Sequence, residues 1–345
     1  MRAVSAAALS LFLLLTSSRV SARQETESSA SPAPVFEFHS GFWVNLHHFL
    51  YLQGRIERAR AEAGTAEAQP PEYKSAASTE GLTAEQRRAW AAAVHTYANS
   101  WSSRDLLLNN PMVLINDRLA ELEDCPELAG RSTVECTSGI VPELVKALDE
   151  AAPIYRARWW AEQDRANRAW IAAMTPLVRS MGANLAGELA EIYQSKWPAR
   201  IHVDVVYYAG QQGAYTSLAP VHLTIATSDS RNQSMSGFET LFYEASHTLA
   251  GAIAGAIERE CRRLQKPIPR DLQHALLLYT VTERGRAPSG ARESDAVSRS
   301  APAGRTRLTD RGWGDYELPL ERYWRPYLNG LIDQDTAIAH LVNAI

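Results

Sequence analysis

Cysteine is scarce, with three residues in a chain of 345: Cys125, Cys136 and Cys261. No two of them have the close spacing of a zinc finger or ribbon, which excludes centres of that kind. An excess of one charge is lacking too. A net charge of −4 leaves no basic footprint, so neither a nucleic acid nor an anionic membrane surface is an expected partner. After the apolar run that ends at Leu15, no stretch approaches transmembrane length, so no integral membrane segment is expected in the mature chain. There is no Gly-rich phosphate loop, no Gly-x-Ser-x-Gly elbow and no internal repeat. Phosphate-loop chemistry is therefore without its signature, and a serine-nucleophile reading is the weaker one.

What is present begins with an export signal. Arg2 supplies the positive start, Ala6 to Leu15 the apolar run, and Val20-Ser21-Ala22 a small-residue cleavage site. Residues 1–22 are thus expected to be a signal peptide, and the protein to be periplasmic or extracellular. In an oxidising compartment Cys125 and Cys136 could close a short loop, while Cys261 suits a small buried hydrophobe. Residues 23–38 are polar and Ser/Pro-rich, which predicts a disordered lead-in.

The remainder predicts an α+β fold, mainly α, with a helical region over 39–199 and a second region over 200–345. Apolar periodicity places a helix from His39 to about Glu62, carrying His47-His48. Thr83 and Gln86 open another, and the stretch from Pro142 to Trp197 is almost wholly helical, with Pro153 at a start and Pro176 at a kink or break. Alternation then predicts strands at 201–208, 214–218 and 221–227. Ser236 and Glu239 form a capping-box pattern at the head of a long helix ending near Leu264. A further helix from Asp271 stops at Gly285, and 286–312 is a long Ser/Arg/Pro/Gly-rich loop of the sort that is disordered or forms a lid.

The long helix contains Tyr243-Glu244-Ala245-Ser246-His247. In a His-Glu-x-x-His helix, two His four residues apart bind zinc and the Glu polarises the attacking water. A bare Glu-x-x-His arises by chance roughly 0.7 times in a chain of this composition, so the pair alone says little. Glu283 adds to it, because Leu272, Leu276, Tyr279 and Glu283 share one face of the next helix. A carboxylate ending an apolar stripe needs a cation or several hydrogen bonds if it is buried. With Asp204-Val205-Val206, Gly213-Ala214-Tyr215-Thr216, His222-Leu223-Thr224-Ile225 and Glu244-Ala245-Ser246-His247 in order, the chain resembles exported bacterial gluzincin-like proteins whose motif is His-Glu-Ala-Ser-His.

The resemblance implies a zinc-dependent hydrolase of peptide bonds, with Glu244 as general base and His247 and Glu283 as metal ligands. His222, Thr224 and Tyr215 would line a substrate groove along an edge strand, and the ligand would be a peptide or protein. Tyr243 departs from the pattern. It stands where the first His ligand belongs, and a neutral phenol with a pKa near 10 is a poor ligand unless the metal recruits its phenolate. Two further readings follow. One is a catalytically inactive zincin-fold binding protein. The other, more distant, is a di-iron carboxylate protein built on Glu244-x-x-His247 and Asp271-x-x-His274. His202 and Asp204 share a strand face, but they, His222 and the His47-His48 pair are more simply explained as surface or hydrogen-bonded core residues.

Overall fold

The computed structural model describes residues 35–65, 77–128, 139–285 and 306–345, all within the unit Pro32–Ile345. The expected signal peptide, the lead-in up to residue 34 and positions 286–305 of the expected loop lie outside the described residues. The fold is α+β and mainly α, with one four-stranded sheet.

The strands are β1 (Val35–His39), β2 (Arg200–Val206), β3 (Ala214–Leu218) and β4 (Val221–Ala226), in spatial order β1-β2-β4-β3. β1 and β4 run parallel to β2, and β3 closes one edge antiparallel to β4. Two expectations change here. β1 occupies the end of the supposed lead-in, where Val35-Phe36-Glu37-Phe38-His39 alternates with the strand period behind a Ser/Pro-rich lead. Its pairing with β2 also joins the two regions that the sequence separated at 199/200. The strand that starts near His222, expected at a groove edge, is interior, and β3 is the edge.

The pleat gives the sheet two unlike faces. Phe36, Ile201, Val203, Val205, Ala214, Leu223 and Ile225 share one core with Phe238, Leu241 and Phe242 of α7 (Ser234–Ser246). Phe36 meets Phe242 edge-on at 5.3 Å. The opposite positions are Glu37, His39, His202, Asp204, Tyr215, His222 and Thr224. Over them lie α1 (Phe42–Ala63) and α3 (Asn110–Glu121). His48 of α1 contacts the Tyr215 hydroxyl at 2.9 Å, and Asp117 of α3 contacts His222 at 2.9 Å.

α2 (Ala84–Ser100) starts at the expected box, with Thr83 and Gln86 each satisfying the other's backbone N–H. α1 crosses it closely at Gly54, where a Cβ would stand 2.8 Å from the Ala98 nitrogen. α4 (Pro142–Tyr155), α5 (Ala161–Leu177) and α6 (Ala183–Ile192) follow as one rod interrupted by π turns at Arg156–Trp160 and Val178–Gly182. Pro153 and Pro176 therefore lie inside helices rather than at a start or a break. Each lies two or three residues before a π turn.

A buried amide pair ties these layers together. Asn45 Nδ2 donates to the carbonyls of Gly41 (2.9 Å) and Val205 (3.2 Å), and its Oδ1 accepts from Tyr207 N and Asn167 Nδ2, both at 3.0 Å. Thr227 Oγ1 donates to Asn167 Oδ1 at 2.7 Å. Removing Asn45 leaves buried donors and acceptors unmatched, and each such group costs about 1–3 kcal/mol. Asn45→Ala is expected to lower stability by about 3 kcal/mol in urea unfolding. A loss under about 1 kcal/mol would mean that these bonds do not hold the layers.

Candidate functional site

The long helix expected over 236–264 is two helices. α7 starts after Gln233, so Ser236 is not its cap, and the Glu239 carboxylate instead accepts from Thr306 N at 2.9 Å. α7 ends at Ser246, a 3₁₀ turn covers His247–Leu249, and α8 (Gly251–Leu264) follows. Side chains account for the interruption. Ser246 Oγ donates to the Phe242 carbonyl and Thr248 Oγ1 to the Ala245 carbonyl, both at 2.7 Å, competing with the helical ladder where it lapses.

The motif residues lie at this break. Thr216 Oγ1 of β3 is 2.8 Å from Glu244 Oε2 and 2.9 Å from the Glu244 carbonyl. Burial raises the Glu244 carboxyl to about 7, against the opposing effects of Thr216 and the positive charge of Arg311. Burial and the Glu244 charge push the Tyr243 phenol well above 10, which disfavours a phenolate ligand. Burial, then the adjacent His274, lowers the His247 imidazole to about 3. Its ring lies 5.0 Å from Tyr243 and 5.2 Å from His274, whose own ring stacks on Trp313 at 5.9 Å.

Glu283 is elsewhere. It sits in the last turn of α9 (Leu272–Arg284), where its Oε2 accepts from Arg325 Nη2 at 2.7 Å. The residue that α9 presents to His247 is His274, nine positions earlier, or about 13 Å along the axis. Glu283 therefore serves an ion pair with the 317–328 stretch rather than a shared metal with His247. The proposed groove residues also separate from the motif. His222, Thr224 and Tyr215 lie on the sheet face opposite Thr216 and Glu244. Asp271 and His274 do lie near the motif, but Glu244, His247, Asp271 and His274 form no three-residue ligand group, as a di-iron centre would need.

Among the described residues, one group of at least three His, Cys, Asp or Glu side chains brings its ligand atoms together: His202, Asp204 and His222, all within 4.8 Å of one another. β2 and β4 position it, with His202 opposite His222 across the parallel register and Asp204 two residues along. His202 Nε2 is 3.0 Å from Asp204 Oδ1, and His222 Nε2 is 2.8 Å from Asp204 Oδ2. α3 adds Asp117 Oδ1 at 2.9 Å from His222 Nδ1 and Asn116 Nδ2 at 3.4 Å from Asp204 Oδ2. Asp204 is 2% exposed and the His202 side chain 29%, so the group opens toward solvent only at His202. There the His39 ring stacks on His202 at 4.2 Å and is itself 2.9 Å from Glu123.

Burial alone would lower His222 and raise Asp204. Asp117 and Asp204 outweigh it at His222, whose pKa rises to about 9, and the two imidazoles hold Asp204 well below the usual carboxylate range. Next to it, burial lowers His48 to about 4. Several buried atoms here make no aligned hydrogen bond: Asp117 Oδ2, Asn116 Oδ1 and His222 Nε2. Two imidazoles and carboxylate oxygens are a donor set that zinc accepts. Around a tetrahedral zinc such atoms stand about 3.3 Å apart, so the His–Asp contacts at 3.0 and 2.8 Å would lengthen by a few tenths of an ångström.

The alternation that put His202 and Asp204 on one face was visible in the sequence. The register that sets His222 beside them, and α3 delivering Asp117, had no local mark. Comparison with protein-family models, curated proteins and solved structures returned no match.

Glu244 gives a pH signature. Its folded pKa of about 7 exceeds the ordinary 4.5, so its stabilising contribution is complete below 4.5 and lost as pH rises through 7. At pH 8 the buried carboxylate lowers stability by about 3 kcal/mol relative to its protonated form. Glu244→Gln keeps a partner for Thr216 and is expected to stabilise the protein at pH 8 while changing little at pH 4.5. Equal effects at the two pH values, measured by urea unfolding, would contradict the assignment.

Proposed function

We propose that this chain is an exported, zinc-binding protein on a zincin-like scaffold, with its metal on the sheet and with α7 serving binding rather than hydrolysis. The single observation that carries this reading is the ligand geometry. His202, Asp204 and His222 gather their donor atoms, whereas Glu244, His247 and Glu283 do not. The donor chemistry favours zinc, and the orphaned oxygens of Asp117 and Asn116 suit a site that accepts a cation. The role of the metal is structural: it joins β2 to β4 and, through Asp117, draws α3 onto the sheet. Hydrolysis at Glu244 is not part of the reading, because the group lies across the sheet from it.

The disulfide at Cys125 supports export, as such bonds persist in oxidising compartments. Cys261 is free and buried, and Cys136 lies outside the described residues. The ligand at α7, a peptide or protein fragment, is part of the same proposal.

Metal analysis of the purified chain is expected to find about one zinc per molecule, and cobalt substitution to give the visible spectrum of a four-coordinate N/O site. His202→Ala and Asp204→Asn should each lower affinity at least roughly tenfold, while His247→Ala and Glu283→Ala should leave it unchanged. His202 is the more exposed ligand, so its variant keeps the test independent of folding. Zinc lost in His247→Ala but kept in His202→Ala would return the metal to α7. No zinc in the natural protein would make the group an ion cluster that pins α3 without a metal.

A further inference from the structure

We propose that Asp117 is the positioning residue of the metal group: it keeps a proton on His222 Nδ1 and so turns Nε2, as a lone-pair donor, toward the ion shared with His202 and Asp204. The inference rests on the zinc-binding reading and deepens it. A histidine offers two nitrogens, and the one that meets a metal is set by the bond the other makes. Packing cannot make that choice for His222. The outer torsion of a histidine is roughly two-fold, and a half-turn of the ring fills almost the same volume with carbon where nitrogen stood.

Hydrogen bonds make it instead. Asp117 Oδ1 is 2.9 Å from Nδ1 and aligned to accept its proton. Nε2 is nearer still to Asp204 Oδ2, at 2.8 Å, yet makes no aligned hydrogen bond there. Nδ1 is thus the nitrogen whose proton the fold holds, and Nε2 faces Asp204 as one ligand faces another across an ion. A metal arriving at Nε2 displaces any proton on it to solvent, while the Nδ1 proton stays on its bond.

The Nδ1 side is not a second metal position. It offers one carboxylate and one imidazole, whereas the Nε2 side adds His202, whose Nε2 is 3.0 Å from Asp204 Oδ1. The group whose ligand atoms converge is His202, Asp204 and His222, without Asp117. Asp117 is well placed to act from behind. It is 9% exposed, so water competes little for the Nδ1 proton. Its Oδ2 makes no hydrogen bond, so no other donor draws that oxygen away. The preceding residue, Asn116, places Nδ2 3.4 Å from Asp204 Oδ2, so α3 reaches two of the three ligands from outside. A carboxylate behind an imidazole fixes its direction and strengthens it as a donor.

The test uses the full chain, first without any substitution. Cobalt replaces zinc, and the imidazole N–H protons of the metal-bound histidines are followed by paramagnetically shifted NMR in H₂O and D₂O. The His222 signal, from a buried ring bonded to Asp117, is expected to exchange more slowly than that of the half-buried His202, which His202→Ala identifies by its loss. Zinc affinity and metal-free stability are then measured for two variants. Asp117→Asn still accepts the Nδ1 proton but carries no charge, and should weaken zinc roughly tenfold; Asp117→Ala should weaken it by up to roughly 100-fold. The visible cobalt spectrum should keep its form in both, because the ligand set is unchanged. Zinc affinity unchanged in Asp117→Asn, with metal-free stability lowered, would mean that Asp117 only pins α3 and would overturn the proposal. A cobalt spectrum altered as in Asp204→Asn would make Asp117 a ligand and overturn it too. So would the absence of a slowly exchanging imidazole N–H in the natural cobalt protein, a result that needs no variant at position 117 and is untouched by any folding defect there. Failure of the underlying reading looks different, since the natural chain then holds no zinc whatever residue stands at 117.

Discussion

The fold depends on a constraint set by the pleat of a small sheet. One face is apolar and packs on α7, while the other carries His39, His202, Asp204, His222 and Tyr215 under α1 and α3. Ionisable groups enter an interior only when their charges and hydrogen bonds are matched. Asp204 is the centre of that matching, held between two imidazoles, and His222 passes the requirement on to Asp117. The placement of α3 follows, since a helix covering this face has to bring a second carboxylate. His48, neutral under burial, supplies a polar contact to Tyr215 without adding a charge.

The α7 side obeys the opposite rule. Phe238, Leu241 and Phe242 lock the helix to the sheet, and polar chemistry is confined to its C-terminal break. The positive charge that acts on Glu244 there is the guanidinium of Arg311. Burial and the Glu244 charge leave Tyr243 a neutral phenol, against the opposing pull of Arg311.

Much of this was legible in the chain. The strands after residue 200, the box at Thr83 and Gln86, and the stop at Gly285 are local signals with local causes, and they stand where the residues placed them. What local pattern could not supply was partnership. Glu283 does end an apolar stripe, as its spacing suggested, but the cation that meets it is Arg325, 42 residues away. The capping residues at Ser236 and Glu239 have the right spacing, yet Glu239 is taken by Thr306 N, 67 residues on. The His-Asp-His group needed a parallel register between β2 and β4, and that depends on the whole crossover rather than on either strand. Arg311 lies in a stretch whose composition suggested only a loop.

Glu244 is the residue for which these two sides of the molecule have to be weighed together. A buried carboxyl with a pKa near 7 is half ionised in neutral solution, and nothing in the packing of α7 requires it, since Thr216 would be satisfied equally by a neutral amide. Arg311 is not hydrogen-bonded to it either, since its Nη1 takes the Gln212 carbonyl and its Nε and Nη2 make no hydrogen bond. Glu244 and the buried guanidinium of Arg311 thus lie close enough for the charge of one to act on the other, with no hydrogen bond joining them.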